Sequence, residues 1–449
     1  MTSRRNVHGG IAARQVPEWL PDYSESAAPT ETSDERSPDG PLVDEAAALN
    51  LPEVQRRRWG LTPGAELRVE ETPDGLLLRR ADPVLSNVYV EPTSACNLNC
   101  RTCMRRTWGE PIGTMEAATY RRLIDGLRDV PSLRRVAFWG FGEPLLHPQI
   151  AEMVALAKEL GAQTELITNG LLLNEGMAAG LVSSGLDTLV ISVDGASPEA
   201  YCDVRAGADL GVVLQNVQRL HELCQARGLK GPEVGIEFVL MKRNASELPK
   251  LRRLAHTMGA SFIVVSNLLP YSEEMKDEIL YWLAAKSSYS AVRSVWEPEI
   301  MLPRVDARGE ALEGMLGLLR NAGAIGFPER PGRAGPYCRF VNEGAAAVAW
   351  DGGVSPCVPL MHSYPCYILG RRKQIRRYAV GNVASDPIGE IWQRQEYARF
   401  RKRVIDFEFA PCSDCGGCTW AESNEEDCIG SPFPTCGDCL WAKGVIQCP

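Results

Sequence analysis

The sequence predicts an α/β protein whose main domain is an open, partial (β/α)6 barrel, with a small β-hairpin module before it and a cysteine-rich domain after it. Short β-rich runs alternate with longer runs of helical periodicity, which indicates βαβ units and a parallel sheet. Six such strands are too few to close an eight-stranded barrel. The predicted strands cover residues 87–90, 135–138, 164–168, 188–193, 235–240 and 262–265.

Helices are predicted between these strands. In folds of this kind, ligands bind at the carboxyl ends of the strands, on the loops that follow them. Side chains directly after each strand are therefore the first candidates for a functional site. The predicted helices lie near residues 115–128, 149–160, 174–184, 208–227 and 246–258.

Four further segments surround the predicted barrel, which covers residues 85–270. Residues 1–50 are rich in Pro, Ser, Asp and Glu and are expected to be a disordered tail. Residues 51–84 hold two β-rich runs around a Thr-Pro-Asp-Gly turn, which predicts the hairpin module. Residues 271–337 are predicted to be a helical connection, and residues 338–449 a separate cysteine-rich domain. Within that domain the pattern predicts a hairpin over 345–354 and one amphipathic helix over 387–403.

The composition excludes several classes of function. The chain has 449 residues and a formal net charge of −9. That charge does not suit a nucleic-acid binder, because phosphates are met by clustered Lys and Arg. No apolar run reaches the roughly 18–20 residues that cross a bilayer, and the N-terminus lacks the apolar stretch of a secretory signal. We therefore expect a soluble, cytoplasmic protein without nucleic-acid or membrane partners.

Cysteine is the unusual component, with fifteen residues in clusters. Three lie at 96–103 and ten between 338 and 448, whereas Cys202 and Cys224 have no metal-ligand spacing and are expected to be buried as small apolar residues. In a long chain without a secretory signal, clustered cysteines indicate metal ligands rather than disulfides. Only five histidines are present, so thiolate must dominate, and thiolates select iron–sulfur clusters, zinc or Cu(I).

The first cluster, Cys96-x3-Cys100-x2-Cys103, follows the first predicted strand. A cubane cluster has four irons and usually takes four thiolates. Three cysteines would therefore leave one iron open to a small chelating ligand. A structural zinc site or a chance group of thiols is the alternative.

Polar side chains follow several of the other predicted strands. Gly142, in the sequence Gly-Phe-Gly-Glu-Pro after the second strand, would let the backbone approach a ligand closely. Glu143 offers a carboxylate to an ammonium group, and Arg205 could bind a carboxylate bidentately. The candidate ligand-binding residues are Gly142, Glu143, Pro144, Thr168, Asn169, Ser192, Asp194, Arg205, Ser266 and Asn267.

The C-terminal cysteines are numerous enough for two clusters, since eight thiolates complete two [4Fe–4S] clusters. The Cys412-x2-Cys415-x2-Cys418 run has the spacing of bacterial ferredoxins. A zinc site would use four thiolates and leave the others unexplained. The ten cysteines are Cys338, Cys357, Cys366, Cys412, Cys415, Cys418, Cys428, Cys436, Cys439 and Cys448.

These motifs resemble those of the radical S-adenosylmethionine (SAM) enzymes. The resemblance implies a TIM-type partial barrel in which Cys96, Cys100 and Cys103 hold a [4Fe–4S] cluster, whose open iron binds SAM and releases a 5′-deoxyadenosyl radical. It also implies that Glu143 lines the amino group of SAM and that the other strand-end residues face its carboxylate, ribose or adenine. Thr102 stands where the family usually has an aromatic residue.

The C-terminal spacing resembles the SPASM domain, which accompanies many radical SAM enzymes and implies one or two auxiliary [4Fe–4S] clusters. In some peptide-modifying relatives an aspartate base follows a cluster cysteine, whereas Val358 follows Cys357 here. The metal ligands implied by the resemblance are Cys338, Cys357, Cys412, Cys415, Cys418, Cys428, Cys436, Cys439 and Cys448.

Several stretches, among them Val90-Glu91-Pro92-Thr93, are most similar to maturases of tungsten-cofactor oxidoreductases. This implies action on a tungsten or molybdenum pterin cofactor or its oxidoreductase, with an electron donor such as ferredoxin or flavodoxin. Radical modification of a ribosomally made peptide is a second hypothesis, with the hairpin at 66–80 as the docking surface. A non-catalytic iron–sulfur electron carrier or a zinc-stabilised binding protein is a third.

Overall fold

The computed structural model describes residues 42–43, 49–61, 67–72, 75–282, 284–286, 299–301, 305–306, 309–319, 337–413 and 418–447. The chain forms two compact units, residues 1–53 and 54–449. In the first unit, β1 (Leu42–Val43) pairs antiparallel with β2 (Leu49–Asn50). The rest of the predicted disordered tail, residues 1–50, lies outside the described residues.

The predicted hairpin is present and follows a short helix, α1 (Glu53–Arg58). β3 (Leu67–Thr72) pairs antiparallel with β4 (Gly75–Arg80), with Thr72 opposite Gly75 at the turn. Gly75 has a φ of 139°, a backbone region that glycine adopts readily and other residues do not. The turn sequence therefore accounts for the hairpin.

Six parallel strands, adjacent in chain order, form the partial barrel. Each ends within two residues of its prediction, because buried strands of apolar and β-branched residues give a clear pattern. The strands are β5 (Asn87–Val90), β6 (Arg135–Phe138), β7 (Gln163–Thr168), β8 (Thr188–Ser192), β9 (Glu233–Leu240) and β10 (Phe262–Asn267).

The predicted helices connect these strands, and a short helix after β8, α5, was not predicted. On α2, Tyr120, Leu123, Ile124 and Leu127 are buried, a spacing of three and four residues that gives one apolar face toward the sheet. Among the described residues, no helix is long and apolar enough to cross a bilayer. The helices are α2 (Ala117–Arg128), α3 (Ile150–Glu159), α4 (Glu175–Ser183), α5 (Pro198–Val204), α6 (Leu210–Arg227) and α7 (Leu251–Met258).

Strands from outside the predicted barrel extend its sheet at both edges. β11 (Glu299–Met301) pairs parallel with β10 and lies in the segment predicted to be a helical connection, which also contains α8 (Gly309–Leu319). After α9 (Arg339–Asn342), β12 (Ala345–Val348) pairs parallel with β5. The sheet therefore continues from the barrel into the cysteine-rich segment.

The hairpin predicted over 345–354 is confirmed by the antiparallel pairing of β12 with β13 (Gly353–Ser355). A second hairpin, β14 (Tyr364–Ile368) and β15 (Arg371–Ile375), stands apart from the main sheet. β16 (Gly381–Asn382) pairs with β13. The order of the main sheet is β11-β10-β9-β8-β7-β6-β5-β12-β13-β16.

The single helix predicted over 387–403 is wrong, because two helices are present: α10 (Ile388–Gln393) and α11 (Gln395–Asp406). Arg394 between them has a ψ of 134°, which interrupts the helical backbone. Its guanidinium donates to the Val380 carbonyl at 2.8 Å and pairs with Asp386 at 2.8 Å. Contacts with distant residues, rather than a Gly or Pro, thus set the break.

Arg401 on α11 joins the C-terminal helices to the segment before β5. It is 1% exposed and forms a bidentate ion pair with Asp82, in which both hydrogen bonds are 2.8 Å long. A third hydrogen bond of 2.8 Å runs to the Trp392 carbonyl, and the guanidinium lies over the rings of Trp392 and Tyr397. The planar fork of arginine suits this arrangement, and the point charge of lysine does not.

Replacing Arg401 by lysine should lower the free energy of unfolding by roughly 1.5–3 kcal/mol, because hydrogen bonds to a charged group are lost. Urea unfolding would measure the change. The matched control is Arg399→Lys on the same helix, where the side chain is exposed and a change within about 0.5 kcal/mol is expected. Equal values for the two variants would contradict the role given to Arg401.

Candidate functional site

The loop after β5 carries Cys96, Cys100 and Cys103, all partly buried. The Cys103 amide donates to the Cys100 carbonyl at 3.1 Å, and the Leu98 amide donates to the Cys96 sulfur at 3.5 Å. Burial raises the pKa of all three thiols, that of Cys100 to about 12, and each thiol is also affected by the charge of a neighbouring cysteine or of Arg205. On binding a metal centre, these three thiols would lose their protons.

Gly142 lies against the cysteine loop rather than beside an open space. A Cβ at this position would be 2.0 Å from the Thr93 carbonyl oxygen and 2.6 Å from that of Ala95. The next residue, Glu143, donates its amide to the Ala95 carbonyl at 2.8 Å. The close backbone approach predicted for Gly142 is therefore made with the loop that carries the cysteines.

Glu143 is 2% exposed and already has three donors. Its carboxylate accepts from the Thr168 hydroxyl at 2.6 Å, the Asn169 amide at 2.8 Å and the Leu145 amide at 3.0 Å. Burial raises the pKa of Glu143 even though these hydrogen bonds oppose the rise. A carboxylate has about four acceptor sites, so one remains for a further donor. Pro144, also buried, begins a short 3-10 turn, Pro144–Leu146.

Asn169 links the end of β7 to the cysteine loop. Its side-chain amide donates to the Asn97 side-chain oxygen at 2.8 Å. Asn97 was not among the predicted site residues, although its position directly after Cys96 was a usable signal. Thr168 and Asn169 thus hold Glu143 and the loop in one hydrogen-bonded group.

Asp194 and Arg205 form a buried ion pair of 3.0 Å, and Asp194 also accepts from the Val239 amide at 3.0 Å. Burial would lower the pKa of Arg205, but the charges of Asp194 and Cys100 raise it well above its usual range. Arg205 therefore stays charged beside the cysteine loop.

Ser192 donates to Glu237 on β9 at 3.1 Å. Burial, together with the charge of Asp194, raises the pKa of Glu237 to about 7. Glu237 was missed in the sequence, where the signal was a single acid within the apolar strand Val-Gly-Ile-Glu-Phe-Val-Leu.

Two buried hydrogen-bond donors near the cysteine loop indicate whether a cofactor fits this site. The Nε of Arg205 and the hydroxyl of Tyr201 have no hydrogen-bond partner among the described residues. The pKa values of both groups respond to the charge of Cys100. Because buried polar groups are nearly always hydrogen-bonded, these donors fit a group with acceptor atoms next to Cys100, such as an iron–sulfur cluster with a bound carboxylate.

Ser266 and Asn267 at the end of β10 contact the C-terminal segment. The Ser266 hydroxyl donates to the Gln447 carbonyl at 2.8 Å, and the Asn267 side-chain amide donates to the Val445 carbonyl at 2.8 Å. Both residues are therefore engaged by protein backbone, and their contact with a nucleoside stays a prediction.

A second thiol-rich site lies in the C-terminal segment. Cys338, Cys357, Cys436 and Cys439 line one small cavity, together with apolar side chains such as Trp441. Burial raises the pKa of all four thiols, that of Cys338 to about 12. Four thiols around one cavity match the number of thiolates that a [4Fe–4S] cluster usually takes.

The other cysteines are more scattered. Cys412 is buried, Cys418 and Cys428 are exposed, and Cys415 and Cys448 lie outside the described residues. Cys224 is buried as predicted, but the prediction for Cys202 is wrong, since it is exposed on α5. A helix surface position accommodates a cysteine as readily as the core does.

Comparison with known proteins matches the cysteine loop after β5 and the first part of the C-terminal segment, up to residue 419. The family model of the Radical SAM superfamily matches residues 90–255, and that of the SPASM iron-sulfur cluster-binding domain matches residues 338–419. The tungsten-containing aldehyde ferredoxin oxidoreductase cofactor-modifying protein of Pyrococcus furiosus is 31% identical over 366 residues. That alignment covers 81% of this chain and 96% of the relative.

One further relative matches a smaller part of the sequence, and one solved structure aligns with most of the chain at low sequence identity. The PqqA peptide cyclase of Xanthomonas axonopodis pv. citri is 32% identical over 198 residues, which is 42% of this chain and 49% of that protein. The crystal structure of Streptococcus suis SuiB bound to S-adenosylmethionine aligns with a TM-score of 0.49 at 15% identity, covering 77% of this chain and 73% of that one.

Replacing both Cys338 and Cys436 by alanine should remove about four irons per chain, because two of the four thiols around the cavity are lost. Iron and acid-labile sulfide analysis of anaerobically reconstituted protein would measure this. Cys202→Ala, at an exposed position, is the control and should keep the wild-type iron content. Unchanged iron in the double variant would contradict a cluster at this cavity.

Proposed function

Since this chain belongs to the radical SAM superfamily and carries a SPASM domain, we propose that Cys96, Cys100 and Cys103 hold the [4Fe–4S] cluster that cleaves SAM, and that the resulting radical serves to mature a tungsten or molybdenum pterin cofactor or its oxidoreductase. The observation that carries the first part is the loop of three partly buried thiols, with two buried donors beside it that have no partner among the described residues. The second part is supported by the similarity to the cofactor-modifying protein of P. furiosus over 96% of its length.

Bound at these thiolates, the reduced cluster would supply the one electron that breaks the sulfur–C5′ bond of SAM and yields the 5′-deoxyadenosyl radical. The residues around it bind and orient. We assign the SAM carboxylate to the unpartnered donors of Arg205 and Tyr201, and the SAM ammonium to the remaining acceptor site of Glu143. Asp194 keeps Arg205 in place through its 3.0 Å ion pair.

Glu237 and Ser192 are proposed to complete the polar wall of the SAM site. The carboxyl of Glu237, with a pKa raised to about 7, can hold a proton near neutral pH and can then donate as well as accept. Thr168 and Asn169 act through Glu143 and Asn97, which they hold in position. Ser266 and Asn267 fix the C-terminal segment, and their contact with the nucleoside of SAM stays a prediction.

For the C-terminal domain, residues 338–449, we propose an auxiliary [4Fe–4S] cluster at Cys338, Cys357, Cys436 and Cys439. Four thiolates would leave none of its irons open, which suits electron transfer rather than substrate binding. We propose that four of the five cysteines Cys412, Cys415, Cys418, Cys428 and Cys448 are ligands of a second auxiliary cluster. A ferredoxin or flavodoxin would provide electrons, and a reducing compartment such as the cytoplasm would keep the thiols free.

Peptide modification is the second candidate function, favoured by the similarity to the PqqA peptide cyclase. That similarity reaches 42% of this chain, against 81% for the cofactor-modifying protein. Incubating the reduced enzyme with a purified tungsten oxidoreductase, and separately with any short peptide encoded beside its gene, would distinguish the two. Substrate-dependent loss of SAM with only the peptide would reject the maturation role.

The cluster-reconstituted protein should convert SAM to 5′-deoxyadenosine under anaerobic conditions with a strong reductant. Cys100→Ala should abolish the product, because the cluster loses a ligand, whereas Cys202→Ala should retain it. Chromatographic analysis of the nucleoside measures both. If wild-type protein that is shown to contain iron and sulfide forms no 5′-deoxyadenosine, the radical SAM assignment of these three cysteines is wrong.

Gly142→Ala should lower the rate of SAM cleavage by about 10²-fold, because its Cβ would push the cysteine loop away by roughly an ångström. Gly109→Ala, where a Cβ has open space around it, is the matched control and should retain the wild-type rate. The initial rate of 5′-deoxyadenosine formation gives the comparison. Equal rates for the two variants would show that the contact with Thr93 and Ala95 is dispensable.

A further inference from the structure

His362 lies in the C-terminal domain between Cys357 and Cys366 and is 1% exposed. Each of its ring nitrogens faces a carboxylate: Nε2 is 2.8 Å from Glu91, and Nδ1 is 2.7 Å from Glu110. Ionised carboxylates only accept hydrogen bonds, and a neutral imidazole has a single N–H. With both carboxylates ionised, two donors are needed here, and the doubly protonated imidazolium provides them.

The two carboxylates flank the cysteine loop in the sequence. Glu91, which is fully buried, directly follows β5, and its second oxygen accepts from the Phe141 amide at 3.0 Å. Phe141 is the residue before Gly142, on the loop that we propose binds SAM. Gly140 makes this contact possible, because a Cβ there would lie 2.6 Å from the Glu91 side chain. The connection thus runs from His362 through Glu91 to the Phe141 amide.

Glu110 provides the other half of the connection. It follows the cysteine loop and accepts from the Ser363 amide at 2.7 Å as well as from His362. The ring of His362 packs edge-on against Trp108 at 4.7 Å and Phe141 at 5.8 Å. Segments before and after the three cysteines are therefore both fastened to one imidazole of the C-terminal domain.

The charged groups around His362 make its proton necessary. Besides Glu91 and Glu110, Asp351 on the β12–β13 turn contributes a negative charge, and it is paired with Arg377 at 2.6 Å. The charge of Arg377 also acts toward Glu110 and Glu91. Without the imidazolium, Arg377 would be the one cation among these neighbours to balance the three carboxylates of Glu91, Glu110 and Asp351. Loss of the proton would leave the fully buried Glu91 and the half-buried Glu110 facing a neutral ring, which is costly.

We propose that His362, as the imidazolium, is a positioning residue that holds the SAM-binding loop against the C-terminal domain and so raises the affinity for SAM. This inference rests on the proposed SAM site at Cys96, Cys100 and Cys103. His362 does not touch the reacting atoms and acts through Glu91 on the Phe141–Glu143 loop.

The protonation of His362 has a defined pH range. Burial would lower its pKa, but the hydrogen bonds and charges of Glu110 and Glu91 outweigh burial and raise the pKa to about 9. Because the folded-state pKa lies above the usual value near 6.5, the stabilisation is complete below about pH 6.5, declines above it and is lost beyond about pH 9. The imidazolium remains the main form of His362 at neutral pH.

His362→Gln should raise the Kd for SAM about tenfold, because one side-chain amide cannot replace two hydrogen bonds to charged groups. Equilibrium dialysis of SAM against the reconstituted full-length protein measures this without turnover. Iron content should stay at the wild-type value, since none of the contacts of His362 is to a proposed cluster ligand. His221→Gln is the matched control, because His221 makes a single hydrogen bond, 2.9 Å to the Met258 carbonyl, and its variant should bind SAM like wild type.

Two further measurements separate positioning from a general structural effect. The Kd for SAM of His362→Gln should exceed that of wild type about tenfold from pH 7 to about 8.5, and this ratio should fall above about pH 9. Titration of Glu237 and of the amino group of SAM affects both proteins alike and cancels in the ratio. Adding Glu110→Gln to His362→Gln should restore part of the affinity, because one unpaired carboxylate is removed. A ratio that does not change with pH, or a double variant no better than the single one, would overturn the proposal.

These outcomes also separate this inference from the proposed function. If wild-type protein with intact clusters fails to form 5′-deoxyadenosine, the proposed function is wrong. If wild type cleaves SAM but His362→Gln and His221→Gln bind it with the same Kd, only the role of His362 is wrong. Should His362→Gln fail to fold, Glu110→Gln alone must still lower the pH at which SAM affinity falls, and an unchanged pH profile would reject the proposal.

Discussion

The loop that carries Cys96, Cys100 and Cys103 has little regular structure of its own, so its shape depends on hydrogen bonds from the ends of neighbouring strands. The Ala95 carbonyl accepts from Glu143, and the Asn97 side chain accepts from Asn169. These contacts come from the loops after β6 and β7, which meet at the same edge of the parallel sheet. The fold therefore positions the thiols through hydrogen bonds of the backbone and of side-chain amides.

The strands of the barrel and the cysteine motif could be predicted because both are local signals. Apolar runs mark β5 to β10, and the glycine at the turn marks the first hairpin. The two helices within 387–406 could not be predicted, since the break at Arg394 depends on Val380 and Asp386. β11 and β12 were not expected at the sheet edges, because pairing between strands distant in sequence leaves no local pattern.

In the candidate site, too, some features could be predicted from local sequence and others only from contacts between distant residues. Glu143, Thr168 and Asn169 follow strands, and the structure brings them into one hydrogen-bonded group. Ser266 and Asn267 follow a strand too, yet the C-terminal segment occupies their hydrogen bonds. His362 and Glu91 are 271 residues apart, so their contact could be found only in the folded chain. The four thiols of the C-terminal cavity were recognisable as cysteines, but their grouping needed the structure.

Electron–nuclear double resonance tests the central claim most directly, namely that a cluster at Cys96, Cys100 and Cys103 has one iron open to SAM. The sample would be the reduced Cys338→Ala/Cys436→Ala protein, in which the proposed auxiliary cluster at the cavity is removed, with SAM labelled with ¹⁵N in its amino group. The account predicts a ¹⁵N coupling to the cluster that disappears when Cys100 is also replaced by alanine. If none of the reduced clusters shows ¹⁵N coupling in protein that binds SAM, the account is wrong.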